Sequence, residues 1–294
     1  MTSQDVSHAL LRELKRIGGD ATGPVGDAFR FTRDFDSSLS FPDLAFDPAA
    51  PAARYGVGER TGIGQIVDVA GGLLHDHAPA AFAFVDRQLE RALLRRSDHA
   101  AGAASSSNRE RVGVCVLTDL HLPSDRVFVC AEALVHESVH QYLYRVEVDE
   151  GPFCDLEAAG RHRSPWSGNR IPLHSLVHAC FVYFALLGLW CRLAGRVSGE
   201  PAAVVRDRLA RNLFGYHYLR PLIDSPAFPR DRVEPAILDA IHRIAEVAAT
   251  TVLATDPGRP LAAALRACDD DAWLARLASG LERVVPDHAP TIAR

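Results

Sequence analysis

The chain has 294 residues, 48% of them hydrophobic, which is enough to bury a sizeable core in one large domain. Its net charge is −5, and its arginines are scattered along the sequence. This charge distribution excludes the basic surface that nucleic acid or acidic lipid requires, so we expect no nucleic-acid partner and no membrane partner.

The first predicted element is an amphipathic helix over residues 4–17, stopped by Gly18-Gly19. The rest of the segment 1–62 is rich in Gly, Pro, Asp and Phe and has no sustained periodicity, which predicts an irregular arm. Such an arm is either a lid or dock for substrate, or ordered surface. The opening residues lack the apolar stretch of a signal peptide, so we expect a cytoplasmic protein.

Further along the chain, residues 63–97 predict two helices, and the polar run 101–111 predicts a loop. Two β-rich runs follow, VGVCVLT at 112–118 and RVFVC at 126–130. They are joined by DLHLPSD and predict a β-hairpin that leads into the next helix.

That helix contains HESVH, an H-E-x-x-H motif in an apolar, helix-forming context. On an α-helix His136 and His140 lie one turn apart on the same face, so both imidazoles can bind one ion. Glu137 lies about 100° round the helix, where it can reach a metal-bound water without being a ligand. An ordinary solvated helix is the alternative, but the apolar stripe beside the histidines favours a metal site.

The second half of the chain begins with a polar connection at 145–170, followed by residues 171–191, which carry no formal charge. This run is long enough to span a bilayer. Pro172 at its start and two histidines one turn apart favour instead a core helix over 173–195. Further helices are predicted at 200–213, 232–250, 258–267 and 270–285.

The six cysteines are widely spaced and form no C-x-x-C pair. We expect them to be reduced thiols and mostly small core residues. They are Cys115, Cys130, Cys154, Cys180, Cys191 and Cys268.

A catalytic metal requires a third protein ligand. The sequence QYLYRV after His140 excludes the metzincin continuation. Glu157 would complete a thermolysin-like site. We favour His178, because two imidazoles in the most apolar segment are costly to bury unless something binds them. His174, one turn earlier, would then contact a ligand or a carboxylate.

Three histidines suit Fe(II) as well as Zn(II). With zinc, Glu137 would take a proton from metal-bound water. With iron, open positions would accept a chelating oxo-acid and dioxygen. The distal carboxylate of the oxo-acid needs a cation, and we expect Arg170, just before the core helix, with Arg163 behind it.

Two segments, LVHESVHQYL and HRSPWSGNRIPLHSLVHACFVYFALLGLW, resemble the HEXXH motif-containing peptide-modification family found beside ribosomally synthesised peptide clusters. The similarity covers about residues 110–195. It implies a 2-oxoglutarate- and iron-dependent peptide β-hydroxylase on a zinc-protease-like scaffold.

Carried over residue by residue, the resemblance implies iron ligands at His136, His140 and His178. It also implies Arg170 as the oxo-acid binder and Ser164-Pro165-Trp166 as the element that shapes the pocket. The family's pattern has Arg after the Trp and Arg-Pro before the helix. This chain departs from it with Ser167 and with Arg170-Ile171-Pro172.

The sequence therefore predicts an α+β, mainly helical fold with a zincin-like core, in which a small β-hairpin or sheet precedes the H-E-x-x-H helix. We expect a single catalytic domain over 1–294, with the metal-site core at 63–195 and a helical C-terminal part at 196–294. The predicted function is an Fe(II)/2-oxoglutarate-dependent dioxygenase that hydroxylates a side-chain β-carbon of a ribosomally synthesised precursor peptide. The alternatives are a zinc metallopeptidase that processes such a peptide and a non-catalytic metal-containing binding protein.

Overall fold

The computed structural model describes residues 3–21, 23–35, 55–96 and 102–254, which are mainly helical with a small sheet. The α-helices of this part are α1 (Ser3–Arg16), α2 (Val57–His77), α3 (Pro79–Gln88), α4 (Arg126–Glu150), α5 (Leu173–Ala194), α6 (Glu200–Asp224) and α7 (Pro235–Ala254). The strands are β1 (Thr32–Asp34), β2 (Arg91–Arg95), β3 (Ala104–Ser106), β4 (Val114–Thr118), β5 (His162–Arg163) and β6 (Arg170–Ile171). The helices predicted at 258–267 and 270–285, and Cys268, lie outside the described residues.

Several predicted helices are confirmed. Helices α1, α5 and α7 form close to their predicted ranges, and α6 begins at the predicted residue but continues to Asp224, beyond the predicted end at 213. The expected break between two helices in 63–97 falls at Ala78, and α3 begins with Pro79, whose missing N–H costs nothing in a first turn. Helix α4 ends at Gly151, which adopts a φ of 101° that other residues rarely take.

Three predictions for the segment before the motif are wrong. Residues 91–95, expected to be helical, form β2, and the predicted loop 101–111 contains β3. The hairpin is absent, because 126–130 form the first turns of α4. The run RVFVC is short and apolar, and periodicity alone cannot tell such a run from a helix segment. Its buried Cys130 continues into the buried stripe of α4.

The chain divides into two compact units. Unit 1 comprises Met1–Leu11, Pro152–Leu187 and Gly199–Arg294, and unit 2 comprises Arg12–Gly151 and Gly188–Ser198. The H-E-x-x-H motif lies in unit 2, and the Ser-Pro-Trp element lies in unit 1.

Unit 2 is built on a four-stranded sheet of order β1-β2-β4-β3. Strands β1, β2 and β4 run parallel, and β3 pairs antiparallel with β4. The side chains at the centre of β2 and β4 are buried, as is typical of parallel strands with both faces covered. Helices α2, α3 and α4 pack on one another, and α4 also contacts β3 and β4.

Unit 1 contains the two-stranded β5-β6 hairpin and the packed pair α6 and α7. The Trp166 ring, in the hairpin, stacks on Tyr183 of α5 with ring centroids 4.6 Å apart. The Trp166 indole also donates a hydrogen bond to the Asn212 carbonyl of α6 at 3.2 Å. A side chain on Gly215 would overlap that indole, so this helical position requires glycine.

Helix α5 is long and apolar enough to cross a membrane by length and composition. However, 72% of its most apolar window is buried inside the protein, as in the core helix of a soluble protein. The prediction of a buried core helix is therefore confirmed.

Candidate metal centre

Helix α4 is fixed to the sheet through Gln141, whose side chain is fully buried. The Gly113 N–H donates to Gln141 Oε1 at 2.6 Å, and Gln141 Nε2 donates to the Val114 carbonyl at 3.0 Å. Both ends of the amide are thus bonded to backbone at the start of β4. These two bonds set the rotation of α4 about its own axis, and with it the direction of the neighbouring His140.

Glu137, one turn before Gln141, is also buried, with 1% of its surface exposed. Its two carboxylate oxygens accept hydrogen bonds from serine hydroxyls. Ser105 Oγ donates to Oε1, and Ser107 Oγ donates to Oε2, both at 2.6 Å. The polar run before β4 therefore supplies the partners of the motif's glutamate, which the sequence did not indicate.

His136 and His140 lie on one face of α4 with ring centroids 5.0 Å apart and an interplanar angle of 52°. Both side chains are half-buried. His136 Nε2 lies 4.0 Å from Glu137 Oε1. Two imidazoles of this spacing fit a divalent transition metal, because nitrogen donors one helical turn apart can converge on one ion.

Tyr144 extends the histidine row by one more turn. Its ring stacks on His140 with centroids 6.0 Å apart and planes at 22°. Burial raises the pKa of the Tyr144 phenol, and the negative charges of Glu137 and Glu147 raise it further. The phenol therefore stays protonated near neutral pH and offers an O–H donor beside the histidines.

The second histidine pair lies in unit 1 on α5. The rings of His174 and His178 are 4.2 Å apart by centroid, at 46°. His178 is 1% exposed, and its ring lies 5.7 Å from that of Phe153. The predicted third ligand is thus a buried side chain in the most apolar helix.

The two arginines predicted to bind an oxo-acid face each other across the β5-β6 hairpin, where Arg163 pairs with Arg170. Directly opposite residues place their side chains on the same face of the hairpin. Arg163 Nη1 donates to the Gly168 carbonyl at 3.4 Å, and Arg170 is exposed.

The Ser164-Pro165-Trp166 element shapes the same hairpin. The Ser164 hydroxyl oxygen accepts hydrogen bonds from the backbone N–H groups of Trp166 and Ser167 at 3.4 and 3.3 Å. Because Trp166 packs on α5 and α6, this element sets how the hairpin is held within unit 1.

Two carboxylates differ sharply in burial. Glu157, the alternative third ligand, is exposed in a turn where its N–H donates to Asp155 Oδ1 at 2.9 Å. Glu147 is 1% exposed and follows His140 by seven residues on the same face of α4. A helical wheel extended past the motif would have revealed Glu147.

Burial shifts the ionisation of two thiols near α4. Burial raises the pKa of Cys115 well above its usual value, and the charge of Glu137 adds to the shift. Burial also raises the pKa of Cys130 to about 12. Near neutral pH these two residues are therefore protonated core side chains. The prediction that the cysteines are core residues is confirmed for Cys115, Cys130, Cys154 and Cys180.

No family model matches this chain, and no curated protein matches it. The site's chemistry rests therefore on its own residues. Within unit 2 the structure brings together His136, Glu137 and His140. Within unit 1 the hairpin register pairs Arg163 with Arg170, and the rings of His174 and His178 lie next to each other on α5.

Proposed function

We propose that this protein is a cytoplasmic Fe(II)- and 2-oxoglutarate-dependent dioxygenase that hydroxylates a side-chain β-carbon of a ribosomally synthesised precursor peptide. The observation that carries the proposal is the half-buried imidazole pair of His136 and His140 beside a buried carboxylate. The resemblance of the two motif segments to the peptide-modification family adds the substrate class and the co-substrate.

A zincin-like core is part of this proposal. Parallel strands with one antiparallel edge strand, β3, lie against the helix that carries H-E-x-x-H. This arrangement supports a scaffold of the zinc-protease type, although a shared fold does not by itself fix the chemistry.

The metal ligands that we propose are His136, His140 and His178. The burial of His178 supports its choice over Glu157, because a buried imidazole benefits from a bound cation more than an exposed carboxylate does. When bound, Fe(II) would supply the activation of dioxygen. Residues of the chain would hold the co-substrate and the peptide in place.

The oxo-acid would be held by the arginines of the β5-β6 hairpin. Like charges directly opposite each other on a hairpin are unfavourable unless an anion lies between them. Arg170 and Arg163 form such a pair. A dicarboxylate offers a planar group that guanidinium binds with two parallel hydrogen bonds, which Lys cannot reproduce.

The proposed hydroxylation consumes one dioxygen and one 2-oxoglutarate for each oxygen atom added to the peptide. One atom of dioxygen is inserted into a C–H bond of the peptide. The other enters the oxo-acid, which loses carbon dioxide and leaves as succinate. The zinc metallopeptidase is the second candidate, favoured by the position of Glu137 next to the first histidine of H-E-x-x-H, where a general base would lie.

One experiment separates these two functions. Protein loaded with Fe(II) is incubated with 2-oxoglutarate, ascorbate and a precursor peptide, in parallel with protein loaded with Zn(II). We expect the iron sample to add one oxygen atom to the peptide and to form an equal amount of succinate, as measured by mass spectrometry. Backbone cleavage in the zinc sample, with no oxygen added in the iron sample, would replace the dioxygenase with the peptidase.

A further inference from the structure

The glutamate of the motif has an unusual pair of partners. The Glu137 carboxylate is buried, and each oxygen accepts a hydrogen bond of 2.6 Å from a serine hydroxyl, Ser105 on one side and Ser107 on the other. This distance lies in the range of charge-assisted O–H···O⁻ bonds. A buried carboxylate needs such donors, because burial without them is costly.

Ser105 lies on β3, and Ser107 directly follows the last residue of that strand. Side chains two residues apart in an extended chain lie on the same face, so Ser105 and Ser107 both reach α4, while Ser106 between them lies on the other face. The register of β3 on β4, with Ser105 opposite Leu117, fixes their position along the helix. The extended backbone of residues 105–107 thus directs two serine hydroxyls toward the two oxygens of the Glu137 carboxylate.

We propose that Ser105 and Ser107 are positioning residues that hold the Glu137 carboxylate beside the metal-binding imidazoles and out of the metal's coordination sphere. Glu137 Oε1 lies 4.0 Å from His136 Nε2. A metal–oxygen bond of about 2.0–2.2 Å would require the carboxylate to turn toward the ion. The two hydroxyls hold it against that turn. This inference rests on the proposed metal centre, whichever reaction follows there.

The reason for such a restraint lies in the number of open positions. An ion held by three imidazoles leaves room for a bidentate oxo-acid and dioxygen. A carboxylate one residue from His136 is a competing ligand that would fill one of those positions. Hydroxyls that use one lone pair on each oxygen reduce this competition without removing the charge.

The test uses the full chain loaded with Co(II), whose visible absorption reports the ligands of the ion. We expect Ser105→Ala with Ser107→Ala to shift this spectrum, because the released carboxylate joins the coordination sphere. The double replacement Ser105→Thr with Ser107→Thr, which keeps both hydroxyls, should restore the wild-type spectrum. Ser106→Ala is the matched control from the same strand and should leave the spectrum unchanged.

A second background separates positioning from packing. When Glu137→Ala is present, removal of the two serine hydroxyls should no longer change the Co(II) spectrum, since no carboxylate remains to be released. A purely structural role of the serines would lower stability equally in both backgrounds, and Ser105→Ala with Ser107→Ala would then leave the Co(II) spectrum unchanged even when Glu137 is present. That result would overturn the proposal.

Failure of the proposed function looks different. If Co(II) binds and its spectrum responds to the serines, but the iron-loaded protein oxidises no peptide, the positioning role stands and the dioxygenase falls. If the wild-type protein binds no Co(II), the metal centre and the positioning role are both overturned.

Discussion

The same spacing, two histidines four residues apart on a helix, occurs twice in this chain, and the two pairs lie in different surroundings. The rings of His136 and His140 are half-buried on α4, next to polar side chains bonded to the sheet. The rings of His174 and His178 lie on α5, the most apolar helix, with His178 nearly inaccessible to solvent. The ring centroids are 5.0 Å apart in the first pair and 4.2 Å in the second.

The difference shows that histidine spacing alone does not define a metal site. On α4, Gln141 and Glu137 fix the helix rotation by hydrogen bonds, so the histidines have a defined direction and access to solvent. On α5, the His178 ring is buried and lies next to that of Phe153. We therefore propose the first pair as the primary site of the metal centre and the second as the source of the third ligand.

The largest expected effect separates the two pairs by metal affinity. His136→Ala and His140→Ala should each lower the affinity for Co(II) or Fe(II) by more than about 100-fold, because loss of a ligand exceeds the cost typical of outer partners. If His178 is the third ligand, His178→Ala should have a similar effect. Isothermal titration and metal analysis of the purified variants measure this.

His217→Ala is the matched control for that series, because His217 is exposed on α6 and should keep full affinity. Full occupancy in His178→Ala with loss in Glu157→Ala would assign the peptidase-like ligand set. Loss in His174→Ala with full affinity in His136→Ala would move the metal to the histidine pair of α5.

A smaller effect should follow from loosening the polar anchor of α4. Gln141→Leu leaves the Gly113 N–H and the Val114 carbonyl without their side-chain partner, which should cost about 1–3 kcal/mol of unfolding free energy. Because the helix rotation is then less defined, metal affinity should fall by about tenfold. Urea unfolding and metal titration measure the two changes.

Gln65→Leu, at an exposed position on α2, is the matched control and should change neither quantity appreciably. Equal losses in the two variants, or a stability loss in Gln141→Leu with unchanged metal affinity, would show that the anchor does not orient the histidines.

The smallest effect is a pH dependence of stability in unit 1. Burial lowers the pKa of His162 on β5 below its usual 6.5. Below pH 6.5 the unfolded chain therefore binds a proton at this residue more readily than the folded chain does. Stability should fall as the pH drops from 6.5 toward the lowered folded-state pKa, and then level off.

Replacement of the imidazole tests this dependence. His162→Gln should flatten the stability profile between pH 6.5 and the lower limit, as measured by thermal unfolding in a pH series. A profile as steep in the variant as in the wild type would assign the dependence to another group.

Part of the candidate site can be predicted from the sequence, because the positions of its residues relative to one another depend on local spacing. H-E-x-x-H places His136 and His140 on one face of any α-helix, and the structure has them so. The sequence predicts that Arg163 and Arg170 act together, and the hairpin register places them opposite each other. The serine partners of Glu137 could not be inferred, because they are about thirty residues away and reach it through a strand that looked like a polar loop.

Two of the errors in the fold have one cause. Strand β2 and the first turns of α4 are short apolar stretches whose periodicity fits either a helix or a strand. Contacts with neighbouring elements of the fold decide whether each stretch becomes a strand or a helix. Residues 91–95 form backbone hydrogen bonds with the parallel strand β4. The RVFVC segment instead continues the buried face of helix α4.

The sequence by itself determined the mainly helical composition, the long helices and the two histidine pairs, since each follows from a repeat of three to four residues along one segment. The tertiary structure alone decided the parallel sheet, the edge strand that carries the serines and the burial of Glu137, Glu147 and His178. The physical reason is that hydrogen bonds between strands and the desolvation of a side chain depend on neighbours distant in sequence, and no local pattern encodes them.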